Sequence, residues 1–410
     1  MKKGMKMYVR TTGCLGLRLE TGMVVRYLER IGYEIVKDPE EADLILVSTC
    51  GVTETKERQS LELLESLSKY KKEIILFGCG HIINPEAYSK FNVKKLEDIY
   101  DFERLFPSKY KLFDGYGEED RTFEYIPPYS SSKKIKAKIF FRELLRKLFN
   151  DKVAEWYQYS TPELEFSFEK EKSYRIIISR GCPFRCSYCA VWRARNNGKY
   201  KSISIEEVLK EYERGISLGY KKFLLVGDEL GSYGIDRKFE FTIIDLLDKL
   251  LQRSGTRIGI RYIEPHFLIK YFDEWKRILR SGRIFYFCVP MQSASKRILK
   301  LMNRHYDPET VREMLKEIRR IYDGVLITHI MIGFPSETEK DFEESLEFVK
   351  EVEFDNVVFQ PFSLRPKTKA EEIVKKYGFV DRKEVKRRIR KMDLQVRKNK
   401  IKRFLKIVRK

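Results

Sequence analysis

Cys182, Cys186 and Cys189 fall within eight residues, in Arg180-Gly-Cys-Pro-Phe-Arg-Cys-Ser-Tyr-Cys189, in a chain of 410 residues with seven cysteines. The C-x3-C-x2-C spacing can set three thiolates around three corners of an iron–sulfur cubane and leave the fourth iron without a protein ligand, open to chemistry. A zinc site ordinarily takes four protein ligands, or three and water, from C-x2-C pairs set apart or joined by histidines. No second pair or nearby histidine stands here. The ferredoxin run would add a further Cys before a Pro, and that Cys is absent. The alternative is three inert core cysteines or a redox relay, against which the polar and aromatic surroundings argue. The spacing therefore points to a site-differentiated cluster.

Three further cysteines each end a short apolar run: Met7-Tyr-Val-Arg-Thr-Thr-Gly-Cys14, Asp43-Leu-Ile-Leu-Val-Ser-Thr-Cys50 and Glu73-Ile-Ile-Leu-Phe-Gly-Cys79. Amphipathic stretches around 17–31 and 53–70 separate them and read as helices. The β-α-β-α-β pattern argues for a parallel sheet, which gathers functional residues at the carboxyl ends of its strands. A second three-thiolate site at one sheet edge is geometrically reasonable; the other reading is three buried strand-end cysteines. Cys288 reads as a buried strand residue.

The Cys182–Cys189 segment, with an aromatic just before its last Cys, resembles the signature of radical S-adenosylmethionine enzymes. Thr12-Gly-Cys14, Ser48-Thr-Cys50-Gly-Val-Thr-Glu-Thr-Lys and Phe77-Gly-Cys79 are similar to the amino-terminal domain of the radical methylthiotransferases. Val226-Gly-Asp-Glu-Leu-Gly-Ser-Tyr-Gly234, Pro290-Met-Gln-Ser-Ala-Ser295, Leu299-Lys-Leu-Met-Asn-Arg304 and Met331-Ile-Gly-Phe-Pro-Ser-Glu-Thr338 also resemble family blocks, so the likeness covers most of 7–80 and 174–370. It implies two 4Fe-4S clusters, one on Cys182, Cys186 and Cys189 and an auxiliary one on Cys14, Cys50 and Cys79. It also implies that S-adenosylmethionine serves twice, as methyl donor and as source of a 5′-deoxyadenosyl radical. The cluster then supplies the electron while the protein orients the reactive carbon and excludes solvent.

The chain departs from the family pattern in three places. Leu15-Gly-Leu-Arg replaces a polar stretch with an Asn, and Trp192-Arg-Ala-Arg-Asn-Asn-Gly-Lys-Tyr-Lys-Ser202 replaces an Arg-Gly run ending Ser-Arg. Residues 381–410 resemble the connector into the family's TRAM domain, a small β-barrel that contributes nucleic-acid binding, and the chain stops where that domain should begin. An apolar set of Val385, Ile389, Met392, Val396 and Ile401 marks this connector as a helix. From Asp381 to Lys410 it carries fifteen Lys or Arg against three acids, +12 of the chain's net +21. Such a patch attracts polyanions through counterion release, with RNA the first suspect; the bland alternative is a solvated helix in a thermophile-like composition.

The elements that must position these residues follow from the same landmarks. Residues 1–125 read as a Rossmann-like parallel-sheet domain, left by a turn at Pro127-Pro-Tyr-Ser-Ser-Ser132, and 126–172 as a linker with one amphipathic helix over Lys133–Trp156, which could dock a partner or simply pack. Residues 173–380 show strands at 174–179, 221–227, 257–262, 284–289, 325–332 and 355–361, which fit a partial (β/α)6 TIM-like barrel, so the whole is an α/β protein. Barrel chemistry belongs to loops at the carboxyl ends of strands. The candidate cofactor contacts there are Asp228, Glu229, Ser232, Tyr233, Glu264, Gln292, Ser293, Gly333, Phe334 and Pro335: polar groups for ribose hydroxyls or methionyl charges, and Gly333 for a close approach of backbone to adenine. His266 and His329 read as structural, and no catalytic residue is singled out.

With 42% hydrophobic residues the chain can bury substantial cores. No apolar run reaches the roughly 18–20 residues that cross a bilayer, and the start shows no signal-like h-region. Thiolate ligands suit a reducing compartment, so the expected location is cytoplasmic, without membrane association. The resemblance implies thiomethylation of a carbon, first of a hypermodified tRNA adenosine near the anticodon. A second reading keeps the chemistry on a protein or ribosomally made peptide side chain. A third is a nucleic-acid-binding protein with structural clusters. Turnover would require an electron donor such as flavodoxin or ferredoxin.

Overall fold

The computed structural model describes residues 4–114, 124–125, 132–161 and 173–409. The expected turn at 127–132 falls largely outside the described residues. The amino-terminal strands are β1 (Lys6–Thr11), β2 (Glu34–Ile35), β3 (Leu44–Thr49), β4 (Glu73–Gly78), β5 (Lys94–Lys95) and β6 (Glu124–Tyr125). They pair in parallel in the order β2-β1-β3-β4-β5, with β6 also on β1. β3, Leu44-Ile-Leu-Val-Ser-Thr, is buried at every residue, the uninterrupted run expected of a parallel strand covered on both faces. The helices Leu15–Arg30 and Glu54–Ser68 connect the strands, within two residues of the sequence expectation.

The second sheet begins with β7 (Tyr174–Ile177). After the short strands β8 (Ser179–Arg180) and β9 (Lys201–Ser202) it continues through β10 (Lys222–Val226), β11 (Arg257–Ile260), β12 (Ile284–Cys288), β13 (Val325–Ile332) and β14 (Asn356–Pro361). Its order, β14-β13-β12-β11-β10-β7, is sequential and parallel throughout. With helices between successive strands this is the open six-stranded barrel. Cys288 ends β12 fully buried. One apolar core runs from Leu17, Val24 and Leu28 of the first domain through the barrel strands to Met392 and Ile407 near the carboxyl end.

Two expectations are corrected. The stretch 133–156 is two helices, Ser132–Leu148 and Asp151–Ser160, because the Asn150 side chain accepts the Val153 N–H at 2.9 Å and caps a new helix. Ile401 is 62% exposed: the inward stripe of the helix Arg382–Val408 continues instead through Asn399, Arg403 and Ile407. Asn399 donates to the Val349 carbonyl at 2.7 Å, and Arg403 donates to Asp355 at 2.8 Å. The fully buried Asp355 also accepts from Trp156 Nε1 at 2.8 Å, Arg319 Nη1 at 2.6 Å and the Leu326 N–H at 2.8 Å. One carboxylate thus ties the inserted helices, a barrel helix, β13 and the carboxyl-terminal helix together.

Candidate functional site

Strand register in the first sheet brings three strand ends together. Thr49 of β3 pairs with Gly78 of β4, so Cys50 and Cys79, one residue further along each, stand side by side about one strand spacing apart, roughly 4.8 Å. Thr11 of β1 pairs with Ser48 of β3, and Cys14 follows β1 as the N-cap of Leu15–Arg30, making no side-chain capping bond. The Cys79 thiol donates to Cys50 sulfur and holds Cys50 at about 7, while the same bond and burial push Cys79 up. The Cys50 N–H donates to Thr12 Oγ1 and Ser60 Oγ, both at 3.2 Å. The Lys56 ammonium lies beside Cys50 and Cys14 and donates to the Thr12 carbonyl at 3.0 Å. A cation there favours thiolates.

The second trio sits on a loop closed by antiparallel pairing of β8 with β9, Arg180 against Lys201. Gly181 at its neck has φ +83°, and a Cβ there would lie 2.3 Å from the Lys199 carbonyl oxygen, so only glycine fits. The Cys189 N–H donates to the Cys186 carbonyl at 3.1 Å, and the Val191 N–H points at Cys189 Sγ at 3.4 Å. Burial pushes the Cys182 and Cys189 thiols up, Cys189 to about 12. Arg304 Nη1 lies 3.7 Å from Cys186 Sγ, and the same guanidinium donates to the Pro290 carbonyl at 2.7 Å and reaches the Glu264 carboxylate at 3.1 Å.

The two trios meet at the domain junction. Cys50 and Cys79 pack with Ile83 against Ala190 and Ala194, and Ala190 directly follows Cys189. Cys14 lies within electrostatic reach of Arg195 and Asp228 in the barrel. Arg193 donates to the Ile83 carbonyl at 3.1 Å and to the Pro366 and Lys367 carbonyls at 2.5 and 2.7 Å, stitching the helix after Cys79 to the loop after β14. All seven cysteines are free thiols. Among the described residues no three His, Cys, Asp or Glu are drawn together tightly enough for a single metal ion; a cubane takes its thiolates at separate irons. Three thiols on each side, with N–H and cationic neighbours, fit that donor set.

The other candidates divide. Asp228 Oδ2 accepts the Gly181 N–H at 2.8 Å and faces Arg195 Nε at 3.3 Å, so it holds the cysteine loop. The buried Glu229 accepts from the N–H groups of Gly231 (2.6 Å), Ser232 (2.7 Å) and Glu264 (3.2 Å), and burial pushes it up to about 7. Glu264 caps the helix Pro265–Lys270 and pairs with Arg304. Glu229, Glu264 and Arg304 thus converge with Cys182 and Cys186 at the carboxyl ends of the barrel strands. Gln292, at φ +70°, bridges β12 to β13 through its backbone: its N–H donates to the His329 carbonyl at 2.7 Å and its carbonyl accepts from Met331 at 2.8 Å. Phe334 is buried against Tyr188, Phe362, Ile298 and Met302, and Pro335 is buried beside it.

Three further candidates have partners within the protein. The Tyr233 hydroxyl is spent on the Ile203 carbonyl at 2.6 Å with its ring in the core. Ser293 Oγ caps the Ser295 N–H at 3.1 Å. At Gly333, φ +79°, the close approach is made by Val385 of the carboxyl-terminal helix, whose side chain would lie 2.6 Å from any Cβ at this position, and the Gly333 N–H is taken by Glu337 at 2.7 Å. His329 packs on Tyr262 and is pushed down to about 3 by burial, a neutral structural residue. Sequence reasoning assigned no role to Arg304 or Glu20. For Glu20 the signal was a charged side chain on the buried face of a helix, between Leu17 and Val24; Arg304, in the loop after the helix Lys296–Leu301, carried no such signal.

The family model described as Radical SAM superfamily matches residues 176–349, and that described as Uncharacterized protein family UPF0004 matches residues 6–96, the span of the first trio. A probable threonylcarbamoyladenosine tRNA methylthiotransferase of Pyrococcus horikoshii is 27% identical over 396 residues, 95% of this chain and 84% of that protein. The ribosomal protein uS12 methylthiotransferase RimO of Thermosipho melanesiensis is 29% identical over 364 residues, 86% of this chain and 74% of that protein. The chain thus carries a Radical SAM domain and a UPF0004 domain, and its relatives are named tRNA and ribosomal-protein methylthiotransferases. The first of these domains takes in the Cys182–Cys189 loop and the second takes in Cys14, Cys50 and Cys79. Among solved structures, the radical S-adenosylmethionine methyltransferase TsrM of Kitasatospora setae shares the fold at TM-score 0.59 and 13% identity, over 90% of this chain and 76% of that one. No helix among the described residues is long and apolar enough to cross a membrane.

Proposed function

We propose that this methylthiotransferase acts on a hypermodified tRNA adenosine, with Cys182, Cys186 and Cys189 holding the cluster that engages S-adenosylmethionine and Cys14, Cys50 and Cys79 holding the auxiliary cluster. The observation that carries this assignment is the packing of Cys50 and Cys79 against Ala190 and Ala194, which sets the two trios face to face. When bound, the first cluster supplies the electron that cleaves S-adenosylmethionine and the second is where sulfur is carried. The chain's own groups would hold the ends of the cofactor: the carboxyl groups of Glu229 and Glu264 would meet its ammonium, and the Arg304 guanidinium its carboxylate. The reading includes a cytoplasmic location and a low-potential one-electron donor, such as a flavodoxin or ferredoxin.

The carboxyl-terminal helix supports an RNA substrate, with less charge than composition alone suggests. Arg388 is buried against Glu337 and Arg403 against Asp355, and Arg387, Lys391, Lys402 and Lys406 pair with Glu339, Glu343 and Glu353. Lys383, Lys386, Arg390 and Lys398 remain exposed along it. Because this helix abuts Gly333 through Val385, the basic stripe starts beside the carboxyl end of β13, where a polyanion reaching the site would pass.

Relatives named as ribosomal-protein methylthiotransferases are 27–29% identical, the same range as those named as tRNA-modifying enzymes, and they motivate a second reading in which a protein side chain is modified. The test is anaerobic mass spectrometry of the reconstituted enzyme with S-adenosylmethionine, reductant and separate pools of unmodified tRNA and candidate ribosomal peptides. A methylthio mass gain on a tRNA nucleoside is the expected result. A gain on peptide alone moves the enzyme to the second reading, and a gain on neither, with clusters intact, overturns both.

A further inference from the structure

Four buried charges, with the half-buried Asp228, lock the two trios to one another. Glu20 lies on the helix capped by Cys14 and is fully buried. Its Oε1 accepts from Arg180 Nε at 2.7 Å and Arg195 Nη2 at 2.7 Å, and its Oε2 accepts from Arg195 Nη1 at 2.6 Å. Arg180 stands two residues before Cys182, and Arg195 directly follows the short helix Val191–Ala194 after Cys189. The two arginines therefore flank the cysteine loop, and one carboxylate from the other domain holds both. The far edge of Arg180 binds Asp98 of the first domain in bidentate fashion at 3.2 and 2.9 Å. Arg195 Nε turns to Asp228, whose same oxygen takes the Gly181 N–H at the loop's neck.

A bidentate Arg–carboxylate pair fixes orientation as well as distance. Three charged contacts on one buried carboxylate tolerate little sliding, because any displacement leaves a charge desolvated and unpaired. Apolar packing at the junction, Ala190 and Ala194 on Cys50 and Cys79, uses small side chains that would accept shifts in register. The lock is thus what sets the separation of the trios.

We propose that Glu20 is a positioning residue that fixes the spacing of the two clusters and so couples radical formation to thiomethylation. The proposal rests on the reading that both trios hold clusters. Glu20→Gln keeps all six thiols and removes the shared charge; Glu20→Asp restores the charge on a shorter arm; Asp98→Asn removes only the far arm. Iron content is expected to stay at the wild-type level in each. In Glu20→Gln, 5′-deoxyadenosine is still formed, while methylthio product per 5′-deoxyadenosine falls roughly a hundredfold, the scale of a small misplacement of reacting groups. Dipolar broadening between the two reduced clusters in electron paramagnetic resonance changes with it, Glu20→Asp recovers part of both, and Asp98→Asn shows the same changes in smaller measure.

A Glu20→Gln enzyme with wild-type product ratio and wild-type broadening overturns the proposal. Should that variant not fold, Asp98→Asn decides: both readouts unchanged overturn it. The broadening needs no substrate. A wild-type enzyme that thiomethylates neither tRNA nor peptide, but whose inter-cluster broadening shifts on Glu20→Gln, would sink the substrate assignment and leave the positioning role standing.

Discussion

Replacing Cys182, Cys186 and Cys189 by Ala is expected to abolish 5′-deoxyadenosine, to the level seen without enzyme, and with it all product. Replacing Cys14, Cys50 and Cys79 is expected to leave 5′-deoxyadenosine formation in place and stop sulfur insertion alone. The separation follows from how the trios are built. The amino-terminal trio hangs on the ends of β1, β3 and β4, set by sheet register. The barrel trio is on a loop closed by β8 and β9, with its own N–H contacts to sulfur and carbonyl. Loss of thiols on one side takes no ligand from the other. Quenched anaerobic turnovers followed by mass spectrometry of both products check it. Methylthiolated product from the amino-terminal triple variant would contradict the auxiliary role, and 5′-deoxyadenosine from the barrel triple variant would contradict the other.

Asp355→Ala is expected to be the most damaging single change outside the cysteines, with a stability loss of about 3–5 kcal/mol, the scale for removing one partner of a buried ion set. Arg319 and Arg403, both nearly buried, would face each other with no anion between them, and the Trp156 and Leu326 N–H groups would lose their acceptor. Burial alone would raise the Asp355 carboxyl, but Arg319, Arg403 and the Leu326 N–H outweigh it and hold the group below the ordinary range. A depressed carboxyl contributes stability that is fully present above its unfolded pKa, about 3.9, and is lost as pH falls through the lower folded value. The gap between wild type and Asp355→Ala in urea melts is therefore expected to be full at pH 7 and to narrow below about pH 4. An equal gap at pH 7 and pH 3 would show that the ionised carboxylate is not what the site needs.

The strands were legible because parallel strands covered on both faces are continuous apolar runs. β3 and β12 are buried at every position. The amino-terminal cysteine trio was legible for a related reason, since a strand-end cysteine is placed by the run before it, and the barrel trio by its close spacing alone. The break at Asn150 was not, since Phe149 and Trp156 keep an apolar rhythm across it and only the cap chemistry of Asn150 marks the new helix. Ile401 misled because the inward stripe of the last helix turns polar. Asn399 and Arg403 point inward to meet the Val349 carbonyl and Asp355, and a search for apolar residues slides to the exposed neighbour. The cofactor contacts were hardest. Loop hydroxyls and a positive-φ glycine serve caps and helix packing as readily as ligands, and Tyr233, Ser293 and Gly333 do so here. Glu20, Arg180 and Arg195 were hidden for the opposite reason: Glu20 lies 160 and 175 residues from the two arginines it holds, so no local pattern joins them.

Two separate clusters, facing each other across the domain junction, are the expected occupancy of the two trios. Iron and acid-labile sulfide per chain, with Mössbauer spectra, measure it most directly on the anaerobically reconstituted wild type and the two triple variants. The expected result is about eight irons in the wild type and about four in each triple variant, as two 4Fe-4S clusters require. About four irons in the wild type, unchanged when Cys14, Cys50 and Cys79 are replaced, would contradict it.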